Sequence, residues 1–120
     1  MSAPTEFYES IRETERLEGE LRTARKRHAS LLVALDSINS EIRNYKQFQD
    51  AIMAGTHHWC QEDFKDLKYY NEVRQHDWKN LQKRILQASE RMYKLSRELD
   101  SVNVEIRSLE FQLSRSRTGV

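Results

Sequence analysis

Residues 64–113 read FKDLKYYNEVRQHDWKNLQKRILQASERMYKLSRELDSVNVEIRSLEFQL. Within this stretch Phe64, Leu67, Asn71, Arg74, Trp78, Leu81, Ile85, Ala88, Met92, Leu95, Leu99, Val102, Ile106, Leu109 and Leu113 recur at alternating intervals of three and four. Thirteen of the fifteen are apolar, and only Asn71 and Arg74 interrupt the series. Steps of three and four return to one side of an α-helix every seven residues, which makes this a coiled-coil seam and excludes a strand. One register held for fifty residues predicts a helix from about 60 to about 114, followed by a polar tail over 115–120.

Upstream the same rhythm runs through Leu17, Leu21, Ala24, Leu31, Leu35, Ile38, Ile42, Tyr45 and Ile52, with His28 and Gln49 filling the two gaps. Phe7 and Ile11 extend the face towards the start, where Ser2, Pro4 and Glu6 offer a cap, a first-turn proline and an acidic first turn. This predicts a first helix from about 4 to about 53. Gly55 then stands where a helix-ending glycine belongs, and the pattern lapses through Thr56, His57 and His58, placing a turn near residues 54–60. Two long helices joined by a short turn double back, so the expected fold is all-α, a two-helix antiparallel, coiled-coil-like hairpin occupying the whole chain. Setting Ile52 opposite Phe64 brings Ile38 to Trp78, Leu35 to Leu81, Ala24 to Met92 and Leu17 to Leu99.

Composition agrees with this reading. The chain has 120 residues, 38% of them hydrophobic and 32% charged, with three glycines and one proline. So few turn-formers argue against β architectures and against most enzymes. Twenty Lys and Arg against nineteen Asp and Glu leave a net charge of +1, too little for a global field that would gather nucleic acid or an anionic membrane. The first residues lack the basic start and apolar run of a signal peptide, and no apolar stretch is long enough to insert in a membrane, so a cytoplasmic chain is expected. Cys60 is the only cysteine, which leaves no intramolecular disulfide.

Two features point outward from the hairpin. In the expected pairing the seam is flanked by Glu13/Glu105, Glu20/Glu98, Arg27/Arg91 and Glu41/Asp77, each a like-charge couple, as if a charged flank awaited another helix. Leu86, Tyr93, Val104 and Phe111 lie off the seam at intervals of seven, eleven and seven, a stripe that two helices alone leave unburied. Near the turn, Trp59, Phe64, Tyr69 and Tyr70, with Phe48 and Val73 beside them, make an aromatic-rich tip. These two groups are the candidate partner-binding residues, and a homo- or hetero-oligomer is compatible with them.

The candidate chemical clusters have plainer readings. His57, His58, Cys60, Glu62 and Asp63 gather metal-type ligands in seven residues, but adjacent histidines do not converge easily on one ion and no second cluster completes a tetrahedron. Cys60 with His58 lacks the enclosure and oxyanion hole that a nucleophile needs, and no phosphate loop or triad is present. The basic run of Arg22, Arg25, Lys26 and Arg27 with His28 is offset by Glu13, Glu15, Glu18 and Glu20 and has no interleaved aromatics for stacking bases. No catalytic, cofactor or metal residue is therefore assigned, and no nucleic acid is expected.

Trp59-Cys60-Gln61-Glu62-Asp63-Phe64 resembles the turn signature of the WXG-type small helical proteins of type VII secretion: tryptophan, a spacer, glycine, then an acid and an aromatic opening the second helix. Gln61 stands at the glycine position, and the sequence is more similar to the divergent small α-helical proteins associated with LXG-class toxins. The resemblance covers most of the chain in architecture and these six residues in motif. It implies a non-catalytic adaptor or targeting chaperone that, with another small helical protein, binds the helical N-terminal domain of a toxin for export. The family's export signal, an aromatic followed four residues later by an acid, is not met by Phe111 and Arg115 or by Tyr93 and Arg97, so the implied role is that of an adaptor co-exported with its partner. A type III or flagellar export stalk or chaperone-escort, and a generic coiled-coil scaffold, are the alternatives.

Overall fold

The computed structural model describes residues 3–54 and 67–118, with side chains from 6 to 54 and from 72 to 117. Two helices account for all of them, α1 over Ala3–Ala54 and α2 over Leu67–Thr118, each 52 residues long, and no strand occurs among the described residues. The chain is an all-helical antiparallel hairpin. The turn expected at 54–60 and the start of the second helix expected near 60 lie outside the described residues beyond Ala54. Residues 115–118, expected in a polar tail, belong to α2. Arg115 and Arg117 fall in its last turn, where cations complement exposed carbonyls, and Ser116 is held by a 2.8 Å hydrogen bond with Thr14.

The helices form two compact units, one from 1–34 with 95–120 and one from 35–94. In the terminal unit Leu17, Leu21, Ala24, Leu109 and Leu113 make a buried cluster against which Ile106 packs, and Leu31 and Val102 are buried as well. In the turn-side unit the buried seam is Ile38, Ile42, Ile52, Ile85 and Ala88, together with the polar Gln49. Every one of these residues is a seam position of the heptad reading. Full burial of a Leu or Ile side chain contributes about 1.5–3 kcal/mol, so the seam is the main source of stability.

The axial pairing differs from the expected one. Thr14 meets Ser116 and Arg27 meets Glu98 in the terminal unit, while Glu41 meets Arg91 and Gln49 meets Trp78 in the turn-side unit. In each unit by itself, facing residue numbers add to about 130 rather than about 116, a displacement of roughly two heptads. Leu17 thus packs with Leu109 and Leu113 instead of facing Leu99, Ala24 shares that cluster instead of facing Met92, and Trp78 lies at Gln49 instead of Ile38. Ile52, placed opposite Phe64 by the turn argument, offers its carbonyl to Arg74. A seam that repeats every seven residues is unchanged by a slip of fourteen, so the apolar pattern alone has no preference between the two alignments.

Charge supplies the preference. The like-charge couples of the expected pairing are replaced by Arg27–Glu98 at 3.0 Å, Arg91–Glu41 at 2.9 Å, Arg25–Glu110 at 3.3 Å and Arg117–Glu18 at 2.8 Å. Glu13 and Glu20 both turn to Arg16 on their own helix. Each exposed pair is worth only about 0.2–1 kcal/mol, but several reversals from repulsion to attraction act on alignments whose seams are otherwise equivalent. The charged flank is therefore internally satisfied at these pairs.

Candidate functional site

The outward residues of α2 are where the heptad reading put them. Leu86, Tyr93, Val104 and Phe111 are between 57% and 65% exposed, in contrast to Ala88, Val102 and Leu109 on the same helix, which are buried. Leu86 and Tyr93, one heptad apart, share a face of the turn-side unit; Val104 and Phe111, also one heptad apart, share a face of the terminal unit. The Arg115 guanidinium lies 5.9 Å from the centre of the Phe111 ring, covering part of it with a cation rather than with carbon. Trp59 and Phe64 lie outside the described residues, as do His57, His58, Cys60, Glu62 and Asp63. Tyr69 and Tyr70 lie on α2, with their side chains outside the described set. Phe48 is exposed on α1.

The polar groups of the described chain serve alignment. Gln49, buried in the seam, donates from Nε2 to the Trp78 carbonyl at 3.2 Å and to Gln82 Oε1 at 3.0 Å. Arg74 donates to the Ile52 carbonyl at 2.8 and 3.1 Å and to the Met53 carbonyl at 2.9 Å. The last turn of α1 has no basic residue of its own, and Arg74 supplies from the other helix the cation that its unpaired carbonyls favour. Ile52, Met53, Arg74, Gln75, Trp78 and Lys79 line a shallow groove at this place. The Glu41 carboxyl is held below the usual carboxylate range, first by the Tyr45 hydroxyl donating at 2.7 Å and then by Arg91. The same bond to Glu41 raises the Tyr45 phenol above its ordinary value. Glu13 is lowered chiefly by its hydrogen bond from Arg16. Glu41 and Tyr45 are thus tied to Arg91 across the helix pair, whereas Glu13 and Arg16 bond along α1.

Among the described residues no group of three or more His, Cys, Asp or Glu is placed to hold a metal, and no helix is long and apolar enough to cross a membrane. Several exposed apolar residues were not singled out by the heptad reading: Leu32 and Val33 in the middle of α1, Tyr8 near its start and Met53 at its end. Their signal was present as apolar residues off the seam of the first helix, the same criterion that found the stripe on the second. No family model, no curated protein and no solved structure matches the chain.

Proposed function

We propose that the chain is a non-catalytic binding module, an adaptor that receives a helical segment of another protein on the outer face of α2. One observation supports this above the others. The hairpin buries the apolar residues of its seam yet leaves Leu86 with Tyr93, and Val104 with Phe111, exposed at heptad spacing, the arrangement of a helix with a second apolar face. In its most specific form, supported by the turn-motif resemblance, the partner is the helical N-terminal domain of an LXG-class toxin. A second small helical protein completes that complex, which assembles in the cytoplasm and is handed to type VII secretion.

The test is a calorimetric titration of the full chain with such a toxin domain, using wild type, Tyr93→Ser and Phe111→Ser. Each substitution is expected to weaken binding by about 1–3 kcal/mol while leaving helicity intact, as for an interface anchor outside the folding core. Unchanged affinity in both variants removes this face from the interface. Absence of binding by the wild type removes the toxin domain as the partner.

A further inference from the structure

A second set of spacings on α1 is absorbed neither by the seam nor by the outer face of α2. Tyr8, Glu15, Gly19, Arg22, Lys26 and Val33 follow one another at intervals of seven, four, three, four and seven. These are heptad steps, so the six residues share a stripe, and it lies on the side of α1 away from the buried Leu17, Leu21, Ala24 and Leu31. The intervals are the same read in either direction, and the chemistry is its own complement when reversed. Apolar Tyr8 mirrors apolar Val33, the Glu15 carboxylate mirrors the Lys26 ammonium, and Gly19, without a side chain, mirrors the long Arg22.

Burial and packing agree with a face prepared for contact. Tyr8 is 63% and Val33 71% exposed, and Glu15, Arg22 and Lys26 are exposed between them. The Tyr8 ring stands edge-on to Phe7 at 6.0 Å, which limits the freedom it would lose on being covered. Gly19 is the informative member. Glycine in a helix interior costs stability relative to alanine, yet a methyl group placed there meets nothing within 4 Å. Among the described residues no neighbour requires that position to be small.

We propose that this stripe joins two copies of the chain through a two-fold contact in which α1 lies antiparallel to α1. Two-fold interfaces require that if residue i of one copy meets residue j of the other, then j also meets i, and a palindromic stripe with complementary ends fulfils that condition along its whole length. Tyr8 of each copy covers Val33 of the other, Glu15 pairs with Lys26 twice, and the missing side chain of Gly19 makes room for the incoming Arg22. Arg12 and Ala29 continue the repeat and face each other without conflict. A parallel pairing would set Glu15 on Glu15 and Lys26 on Lys26, so charge selects the antiparallel one. This surface is distinct from the outer face of α2, and the two contacts can be occupied independently.

The experiment is sedimentation equilibrium of the full chain over a wide concentration range at low salt, with circular dichroism to follow helicity. The expected mass rises from that of one chain towards twice that value as concentration increases. Glu15→Lys and Lys26→Glu should each weaken association by about tenfold or more, because each turns two attractive pairs into repulsive ones. Glu15→Lys with Lys26→Glu in the same chain should recover an affinity within about threefold of wild type, since the exchanged pair meets across the two-fold axis. Gly19→Leu should abolish the dimer by filling the place of closest approach. All four variants alter exposed or uncrowded positions and should keep the wild-type helicity. A single-chain mass at every concentration, a dimer indifferent to either reversal, or a double exchange that fails to restore association would each overturn the proposal.

Discussion

The two units of the hairpin hold their helices together by different means. In the terminal unit the seam is hydrocarbon throughout its buried cluster, from Leu17 and Leu21 to Leu109 and Leu113, and three interhelical ion pairs run along its edges. In the turn-side unit Arg91 pairs with Glu41 across the helices, the buried seam admits the polar Gln49, and the Arg74 fork closes the end of α1. The first keeps its directed contacts, the ion pairs and the Thr14–Ser116 bond, at the rim of an undirected hydrocarbon seam; the second carries directed hydrogen bonds within the seam itself. Apolar heptads are interchangeable under a slip of seven or fourteen residues, whereas an amide that must find Gln82 and the Trp78 carbonyl is satisfied in one alignment.

The contrast can be broken most forcefully in the hydrocarbon unit. Leu17→Ala, at a residue only 2% exposed, should lower unfolding free energy by about 2–4 kcal/mol in a chemical denaturation series, through lost burial and the cavity left among Leu21 and Leu113. Removing direction should cost less. Arg74→Met keeps most of the stem but leaves the Ile52 and Met53 carbonyls to water, an expected loss of about 1–2 kcal/mol, with amide exchange quickening in the last turn of α1.

Gln49→Leu sharpens the distinction, because it trades specificity for burial. Stability should change by less than about 1 kcal/mol, while alignment becomes mixed. In a Cys60→Ser background, cysteines at Leu17 and Leu113 should crosslink efficiently and cysteines at Leu17 and Leu99 should not. With Gln49→Leu added, the second pair should begin to crosslink. An unaltered crosslinking pattern would show that the ion pairs alone choose the alignment.

The smallest effect is that of pH. The Glu41 carboxyl is lowered by Tyr45 and Arg91, so its contribution is complete above the unfolded value of about 4.5 and fades as pH falls through the lower folded value. Thermal unfolding followed between pH 7 and pH 3 should show a decline at the acid end that is smaller in Glu41→Gln than in wild type.

Much of this architecture was legible in the residues. The seam positions that are buried, from Leu17 to Ile52 and from Ile85 to Leu113, are those named by the alternating intervals, and the ends of α1 fall within a residue of the expected ones. Alignment was not legible from apolar residues, for the reason just given, and placing Ile52 against Phe64 rested on a minimal turn. The missing information lay in the charges. Glu20 facing Glu98 and Arg27 facing Arg91 were symptoms of a misaligned pair; in the structure Arg27 pairs with Glu98 and Arg91 with Glu41 instead. Among surface residues, the outer face of α2 was visible because its four apolar members are bulky. The stripe on α1 was not, because four of its six members are charges and a glycine whose meaning emerges only when the intervals are read backwards.

The Arg74 fork carries a consequence for the order of folding. It joins residues 21 and 22 positions apart, whereas the Thr14–Ser116 bond spans 102. Closing the longer loop first would cost about 1.4 kcal/mol more in chain entropy, so the nucleus should form beside the turn and the helices should zip towards the termini. The earliest contacts are then the directed ones, Arg74 on the α1 carbonyls and Gln49 on Trp78 and Gln82. Alignment is chosen before the repetitive hydrocarbon seam, which would accept a wrong one, has begun to close. Arg74→Met should accordingly slow refolding, while Leu17→Ala should act mainly by hastening unfolding.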